Sequence, residues 1–242
     1  MIGVFDSGLG GLGIFRKIKL FLPYEDIVYY ADNKNAPYGN KSEDKIKELT
    51  LNSLKLLEKK GCDIIVVACN TATTSGIDYY RKQIKAHIIG VVPVVKTAAQ
   101  MTTKKRIAVL ATKYTIQSRY LDDLIKKFAP KIKVKKIACE GWVKAIENNT
   151  VTDALLKKCL KNISNEDVVV LGCTHFTLIK GHIQRLLGPD AKVVSSNDAV
   201  ARHVMRVGMK YRLLSNKPRK SKYIYLCSDN SKKYTDKIKQ YV

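Results

Sequence analysis

The chain has 242 residues, of which 45% are hydrophobic, so it can bury one large core or two of moderate size. Its formal net charge is +23, and its uninterrupted apolar runs are far shorter than the roughly 20 residues of a membrane-spanning helix. These totals predict a globular protein without a transmembrane segment.

The beginning of the chain and the charge distribution give two further expectations. Met1 leads directly into the strand-like IGVF (2–5), which leaves no space for a cleavable apolar leader, so we expect a cytoplasmic protein. The lysines are scattered through helix-like stretches with few aromatic residues between them. This pattern favours a solvated surface over a groove for nucleic acid, which stays open as an alternative.

The six cysteines show no CxxC or His-rich spacing. We therefore expect neither a zinc site nor a disulfide framework, and no metal. All six are predicted to be reduced thiols: Cys62, Cys69, Cys139, Cys159, Cys173 and Cys227.

The first strand is followed by a glycine-rich turn, DSGLGGLG (6–13). The next segment predicts an amphipathic helix with its apolar side formed by Leu12, Phe15, Ile18 and Leu22. The glycine pattern is weak evidence for a dinucleotide site, because Asp6 precedes it and would repel a pyrophosphate. Asp32 lies at the distance of a ribose-binding acid, but this alone does not support such a site.

A second strand (26–31) leads into ADNKNAPYGNKS (31–42), a loop rich in turn-forming residues. Pro37 fixes the backbone there, and Gly39 permits close approach to a ligand. Ser42 is a candidate N-cap for a helix that runs to about residue 60.

Two similar segments carry a cysteine at the end of an apolar run, DIIVVACNT (63–71) and DVVVLGCTH (167–175). Apolar runs without alternation predict strands buried on both faces. Ligands of open parallel sheets bind outside the carboxyl ends of the strands. The sequence therefore predicts two equivalent strand ends, each presenting one thiol, Cys69 or Cys173.

The repetition extends beyond the cysteines. IAVLAT (107–112) resembles IGVFDS 105 residues earlier, and Cys173 follows Cys69 by 104 residues. Alternating strands and helices imply parallel sheets, so we predict two similar α/β domains related by a pseudo-twofold repeat, with a cleft between them. The predicted domains are 1–94 with 207–242, and 95–206.

The remaining predicted elements complete this pattern. They are helices near 76–86, 115–128, 142–162, 177–187 and 198–213, and strands near 88–95, 133–140, 192–195 and 223–228, with a last helix at the end.

Two thiols at matching positions, followed by CNT and CTH, are difficult to explain as packing alone. A redox couple is one interpretation. A second is proton transfer on both faces of one carbon, in which one thiolate removes a proton and the other thiol returns one, inverting a stereocentre. His175 is the local partner expected for Cys173, and Asp6 the one expected for Cys69.

DSGLGGL, NAPYGNKS, ACNTAT and LGCTH, in this order and spacing, resemble the glutamate racemase family within the cofactor-independent aspartate/glutamate racemases. The resemblance covers nearly the whole chain. It implies interconversion of L- and D-glutamate for peptidoglycan synthesis without cofactor, with Cys69 and Cys173 as the acid–base residues, in a cleft between two α/β domains.

The resemblance also implies substrate-binding pairs, with Glu147 as an auxiliary acid near the site. Asp6 as a helix cap, Asn70 as a turn residue, and His175 and Glu147 as surface residues are the structural alternatives. The implied substrate-binding residues are Asp6, Ser7, Tyr38, Gly39, Asn70, Thr71, Thr174 and His175.

The sequence departs from the family pattern at Glu140 and Lys144, where relatives tend to carry prolines, and at 195–198. These changes concern loop geometry, and the cysteines are kept. We expect a homodimer acting on glutamate. An aspartate racemase of the same chemistry and a nucleic-acid-associated protein are the alternative functions.

Overall fold

The computed structural model describes residues 1–215 and 217–242. The chain forms two compact units, one from residues 1–91 and 197–242 and the other from residues 92–196. Strands and helices alternate in both.

Within the described residues, the first unit contains five strands and its own helices. Short 3-10 turns also lie at Asn33–Asn35 and Tyr38–Asn40. The elements are β1 (Ile2–Asp6), α1 (Leu12–Phe21), β2 (Ile27–Ala31), α2 (Glu43–Lys59), β3 (Ile64–Val67), α3 (Asn70–Gln83), β4 (His87–Gly90), α11 (Asn197–Lys210), β9 (Tyr223–Cys227) and α12 (Lys232–Gln240).

The second unit contains four strands. Its elements are α4 (Val95–Met101), β5 (Arg106–Ala111), α5 (Lys113–Gln117), α6 (Arg119–Phe128), β6 (Lys133–Ala138), α7 (Trp142–Glu147), α8 (Asp153–Leu160), β7 (Val168–Leu171), α9 (Thr174–Leu178), α10 (Lys180–Leu187) and β8 (Lys192–Val194).

The two sheets share one topology. The first has the strand order β4-β3-β1-β2-β9, and the second, taken in the same direction, has the order β8-β7-β5-β6. All pairings are parallel. Each strand of the second sheet thus has a counterpart in the first, which confirms the predicted pair of similar parallel α/β folds.

The two cysteine-bearing strands lie inside their sheets, β3 between β1 and β4, and β7 between β5 and β8. Every residue of both strands is at most 2% exposed. A parallel strand covered by helices on both faces needs apolar side chains at every position, which is why neither run alternates.

Helix α1 buries the side predicted from the sequence, since Leu12, Phe15 and Ile18 are fully buried and Leu22 is 8% exposed. Gly11 precedes the first residue of this helix as its N-cap. A Cβ atom there would lie 2.9 Å from the Cβ of Asp6 and 3.0 Å from that of Ala68, so only glycine lets this turn lie against the ends of β1 and β3.

Several predicted boundaries were wrong. The single helix expected over 142–162 is divided into α7 and α8, because Asn149 takes a left-handed backbone (φ 55°) and the Thr152 side chain then caps α8 by accepting from the Leu155 amide. The strand expected over 88–95 ends at Gly90, and Val95 already begins α4.

The return of the chain to the first unit begins at Asn197, ten residues before the predicted position at residue 207. Helix α11 is continuous from Asn197 to Lys210 and packs along α1, with an ion pair of 2.8 Å between Lys17 and Asp198. It also contacts β3 and β4, so its main contacts are all with elements of the first unit and the helix belongs to that core.

The prediction of six reduced thiols was wrong for one pair. Cys139 and Cys159 form a disulfide, with a sequence separation of 20 and a Cα–Cα distance of 5.7 Å. The other four cysteines are buried and are not disulfide-bonded. Spacing could not reveal this bond, because the fold brings the end of β6 to α8.

Candidate functional site

Cys69 lies just beyond the carboxyl end of β3 and is the residue that precedes α3. It is 5% exposed. Helix α3 begins at Asn70, earlier than the predicted start near 76, and its backbone is non-helical at Gly76. The thiol therefore lies at the amino end of a helix, where the dipole and the first amide groups favour negative charge.

The end of β1 brings polar groups to Cys69. The pairing of Phe5 with Val67 continues in the hydrogen bond from the Ala68 amide to the Phe5 carbonyl (2.7 Å), which places Asp6 and Ser7 beside the end of β3. The Ser7 hydroxyl lies 3.6 Å from the Cys69 sulfur. Either atom can donate in this contact, so Ser7 can stabilise a thiolate.

Asp6 is fully buried, and its carboxylate accepts a hydrogen bond from the Gly8 amide at 2.9 Å. Helix α1 has Gly11 as its capping residue, without a side-chain cap. Asp6 therefore does not cap that helix, and the structural alternative for this residue is wrong.

Tyr38 is 1% exposed and donates a hydrogen bond of 2.6 Å to Asp32. Burial first, and then the charge and hydrogen bond of Asp32, raise the pKa of Tyr38, while charge at Cys69 would raise it further. Asn35 also donates to Asp32. From the sequence, Asp32 is a candidate only for a ribose ligand, and no pattern there indicates its contact with Tyr38.

Asn70 and Thr71 form the first turn of α3 and are each 3% exposed. The side-chain amide nitrogen of Asn70 is buried without a hydrogen-bond partner. A buried donor without a partner is costly, by about 1–3 kcal/mol, unless a ligand satisfies it. Together with the amides of the helix start, this side chain is suited to a carboxylate.

Cys173 takes the corresponding position in the second unit, after β7 and directly before α9. It is 6% exposed, and the two residues that follow, Thr174 and His175, are 1% and 2% exposed. The Gly172 amide donates to the Leu110 carbonyl at 2.7 Å, as the Ala68 amide does to Phe5 in the first unit. The two cysteines thus take the same position relative to their sheets, with different backbone φ angles of −72° and −137°.

Glu147 lies at the end of α7, and its carboxylate is 2.6 Å from Nε2 of His175. The Glu147 side chain is 14% exposed and that of His175 is 3% exposed. Both side chains are therefore largely buried, and the alternative in which they are surface residues is wrong. The carboxylate fixes the orientation of the imidazole beside the segment that carries Cys173.

The predicted site residues therefore form two groups, each within one unit. Those of the first unit are Asp6, Ser7, Tyr38, Gly39, Cys69, Asn70 and Thr71, and those of the second are Glu147, Cys173, Thr174 and His175. Among residues 1–215 and 217–242, no group of three His, Cys, Asp or Glu side chains is arranged to hold a metal ion. No helix in that same part of the chain is long and apolar enough to cross a membrane.

Comparison with known proteins assigns the class. The profile described as Asp/Glu/Hydantoin racemase matches residues 19–204. The chain belongs to this family, and it is an enzyme of the racemase type, an isomerase.

Proteins similar to this chain include several glutamate racemases. The glutamate racemase of Methylococcus capsulatus is 37% identical over 211 residues, covering 85% of this chain and 78% of that protein. The Escherichia coli glutamate racemase, in complex with L-glutamate and the activator UDP-MurNAc-Ala, superposes with a TM-score of 0.90 at 29% identity, covering 99% and 94% of the two chains. The Francisella tularensis glutamate racemase, in complex with D-glutamate, has a TM-score of 0.85 at 29% identity, covering 99% and 92%.

Proposed function

We propose that this protein is a glutamate racemase that interconverts L- and D-glutamate by proton transfer at the α-carbon, with Cys69 and Cys173 as the two acid–base residues. One observation carries the proposal: two buried thiols lie at equivalent carboxyl ends of parallel strands, each directly before a helix. Relatives that bind L-glutamate or D-glutamate support the choice of substrate.

The reaction needs one thiolate and one thiol at the same time. The thiolate removes the α-proton from one face, and the thiol on the other side delivers a proton to the opposite face, so the two exchange roles in the reverse direction. An unperturbed thiol, with a pKa of about 8.5, is only slightly ionised at neutral pH. Ser7 next to Cys69 and the helix start at Asn70 are the groups that favour the thiolate in the first unit.

Substrate recognition is assigned to polar groups beside each thiol. In the first unit, the Asn70 side-chain amide and the Thr71 hydroxyl bind a carboxylate, while the Asp6 carboxylate meets the ammonium group. Tyr38 and Gly39 line the substrate from the loop that Asp32 holds. In the second unit, Thr174 and His175 bind the substrate, and Glu147 orients His175.

The proposed product suits the synthesis of peptidoglycan, which uses D-glutamate. This role, the cytoplasmic location, the homodimer and the independence from cofactors stay predictions.

The proposal is tested by incubating the purified protein with L- or D-glutamate and following optical rotation to zero. Aspartate, assayed at equal concentration, distinguishes the nearest alternative, since a larger kcat/KM for aspartate would assign that substrate instead. Salt-dependent retention on DNA, together with no racemisation of either amino acid, would replace the proposal with the nucleic-acid alternative.

A further inference from the structure

The disulfide of the second unit lies at the beginning of the segment that carries Glu147. Cys139 directly follows β6, and Cys159 lies in α8. Both are buried, with exposures of 3% and 8%, in the same apolar cluster as Trp142 and Phe176. The bond therefore connects the short segment between β6 and α7 to helix α8.

A second contact joins the same two helices. Trp142, the first residue of α7, donates its indole N–H to the Leu155 carbonyl of α8 at 3.4 Å. Gly141, which precedes it, has a left-handed backbone (φ 80°), so the turn between Cys139 and α7 is tight. The disulfide and the indole together fix where α7 begins.

Helix α7 connects this attachment to the groups beside Cys173. At its beginning, the Trp142 ring contacts that of Phe176 edge to face, with centroids 4.9 Å apart. At its end, Glu147 accepts from His175, the residue before Phe176. A displacement at the start of this helix therefore changes the contact between Glu147 and His175.

We propose that Cys139 and Cys159 form a redox-responsive pair, whose disulfide state holds α7 in the position in which Glu147 orients His175 and whose reduced state lowers turnover. The inference rests on the proposed function, because it assigns His175 to the site of Cys173.

The more active state of the protein therefore has thiols at Cys69 and Cys173 together with a disulfide in the same chain. A solution that keeps Cys69 and Cys173 reduced also contains reductant for the disulfide. The state of the pair therefore depends on its reduction potential relative to that of the surrounding thiols. The disulfide opens by attack of a small-molecule thiolate such as glutathione, and a second thiolate releases the mixed disulfide. Two electrons and two protons reach the cysteines, while two glutathione molecules become one glutathione disulfide. Oxidation reverses these steps.

The test compares the wild-type protein in both states. Thiols are counted after denaturation, with four expected in the oxidised and six in the reduced protein. Reduction is expected to lower kcat with glutamate about fivefold or more, the size of an ordinary coupling between two sites. Glutathione disulfide should restore kcat, and peptide mapping should find the restored bond between Cys139 and Cys159.

Matched variants separate coupling from general loosening. The double variant Cys139→Ser/Cys159→Ser should have the lower kcat and no response to reductant, whereas Cys227→Ser, at a buried cysteine outside the pair, should respond as the wild type does. In Glu147→Gln, reduction should still lower the melting temperature but change kcat less than twofold. The contact between residue 147 and His175, through which reduction acts, is already altered in this variant.

Equal kcat with four and with six thiols would overturn the inference, as would a protein that retains six thiols in glutathione disulfide. A rise of kcat on reduction would also overturn the inference. It would indicate that the oxidised sample had lost activity through oxidation of Cys69 or Cys173. A protein without racemase activity in either state would instead contradict the proposed function, so the two failures are distinguishable.

Discussion

The two halves of the molecule place a cysteine at the same point of the same topology but surround it differently. Cys69 has a hydroxyl neighbour, Ser7 at 3.6 Å, and a helix start with a buried amide. The segment of Cys173 continues into His175, which Glu147 holds at 2.6 Å. The difference shows that a duplicated scaffold fixes where the thiols lie, while the polar groups near each thiol differ between the two halves.

The largest expected effect comes from removing either sulfur. Cys69→Ala and Cys173→Ala should each lower kcat/KM for both enantiomers by about 10³-fold or more, because each direction needs both an acid and a base. Cys62→Ala, at a buried thiol outside both groups, should keep nearly full activity. A polarimetric assay checks this, and substantial racemisation by either of the first two variants would refute the assigned roles.

The second unit should be the more sensitive to loss of its supporting groups. Glu147→Gln should lower kcat roughly 10- to 100-fold, the cost of a misplaced reacting group. Because the step at Cys173 becomes slower, the isotope effect of α-deuterated substrate should rise for the enantiomer from which Cys173 removes the proton and fall for the other. Isotope effects that change equally for both would show that Glu147 does not act on one side.

The corresponding change in the first unit should be smaller. Ser7→Ala removes one neutral hydrogen-bond partner of Cys69, which is worth about 0.5–1.5 kcal/mol, so kcat should fall about three- to tenfold. The isotope effect should rise for the enantiomer for which it falls in Glu147→Gln, and fall for the other enantiomer. The same asymmetry in both variants would contradict the assignment of one thiol to each half.

The smallest effects concern the free energy of unfolding. They are expected at the acidic residues that directly precede β3 and β7. Asp63 pairs with the amino terminus at the surface, so Asp63→Asn should change the free energy of unfolding by no more than about 0.5 kcal/mol. Asp167 accepts from the Thr102 hydroxyl and from the amides of Thr103 and Lys104. Asp167→Asn should cost about 1–2 kcal/mol at neutral pH.

The pH dependence of Asp167 gives a second test of this difference. Burial opposes ionisation, but the hydrogen bonds prevail and lower the pKa of Asp167 to about 2 from 3.8. Its contribution is therefore present above about pH 4 and lost as the pH falls toward 2. Urea denaturation at pH 6 and pH 3 should show the gap between Asp167→Asn and the wild type narrowing at the lower pH, and a constant gap would contradict this account.

Much of the fold follows from local patterns that the sequence displays. Continuous apolar runs predicted β3 and β7, and the offset between IGVFDS and IAVLAT predicted two similar parallel α/β folds, although the strand order became known only from the structure. Helix ends were less predictable, since the division between α7 and α8 depends on the backbone of Asn149. The disulfide and the contact between Asp32 and Tyr38 depend on which loops meet, which no spacing in the sequence expresses.

The central claim is that the two sulfurs exchange protons with solvent and serve opposite faces of one α-carbon. The direct measurement is racemisation in deuterium oxide from each enantiomer, with mass spectrometry of the inverted product at early times. A thiol carries a single exchangeable hydrogen, so every inverted molecule should contain deuterium at the α-carbon in both directions. Inverted product that keeps its original α-hydrogen would show that a single group carries the proton across, and would contradict the account.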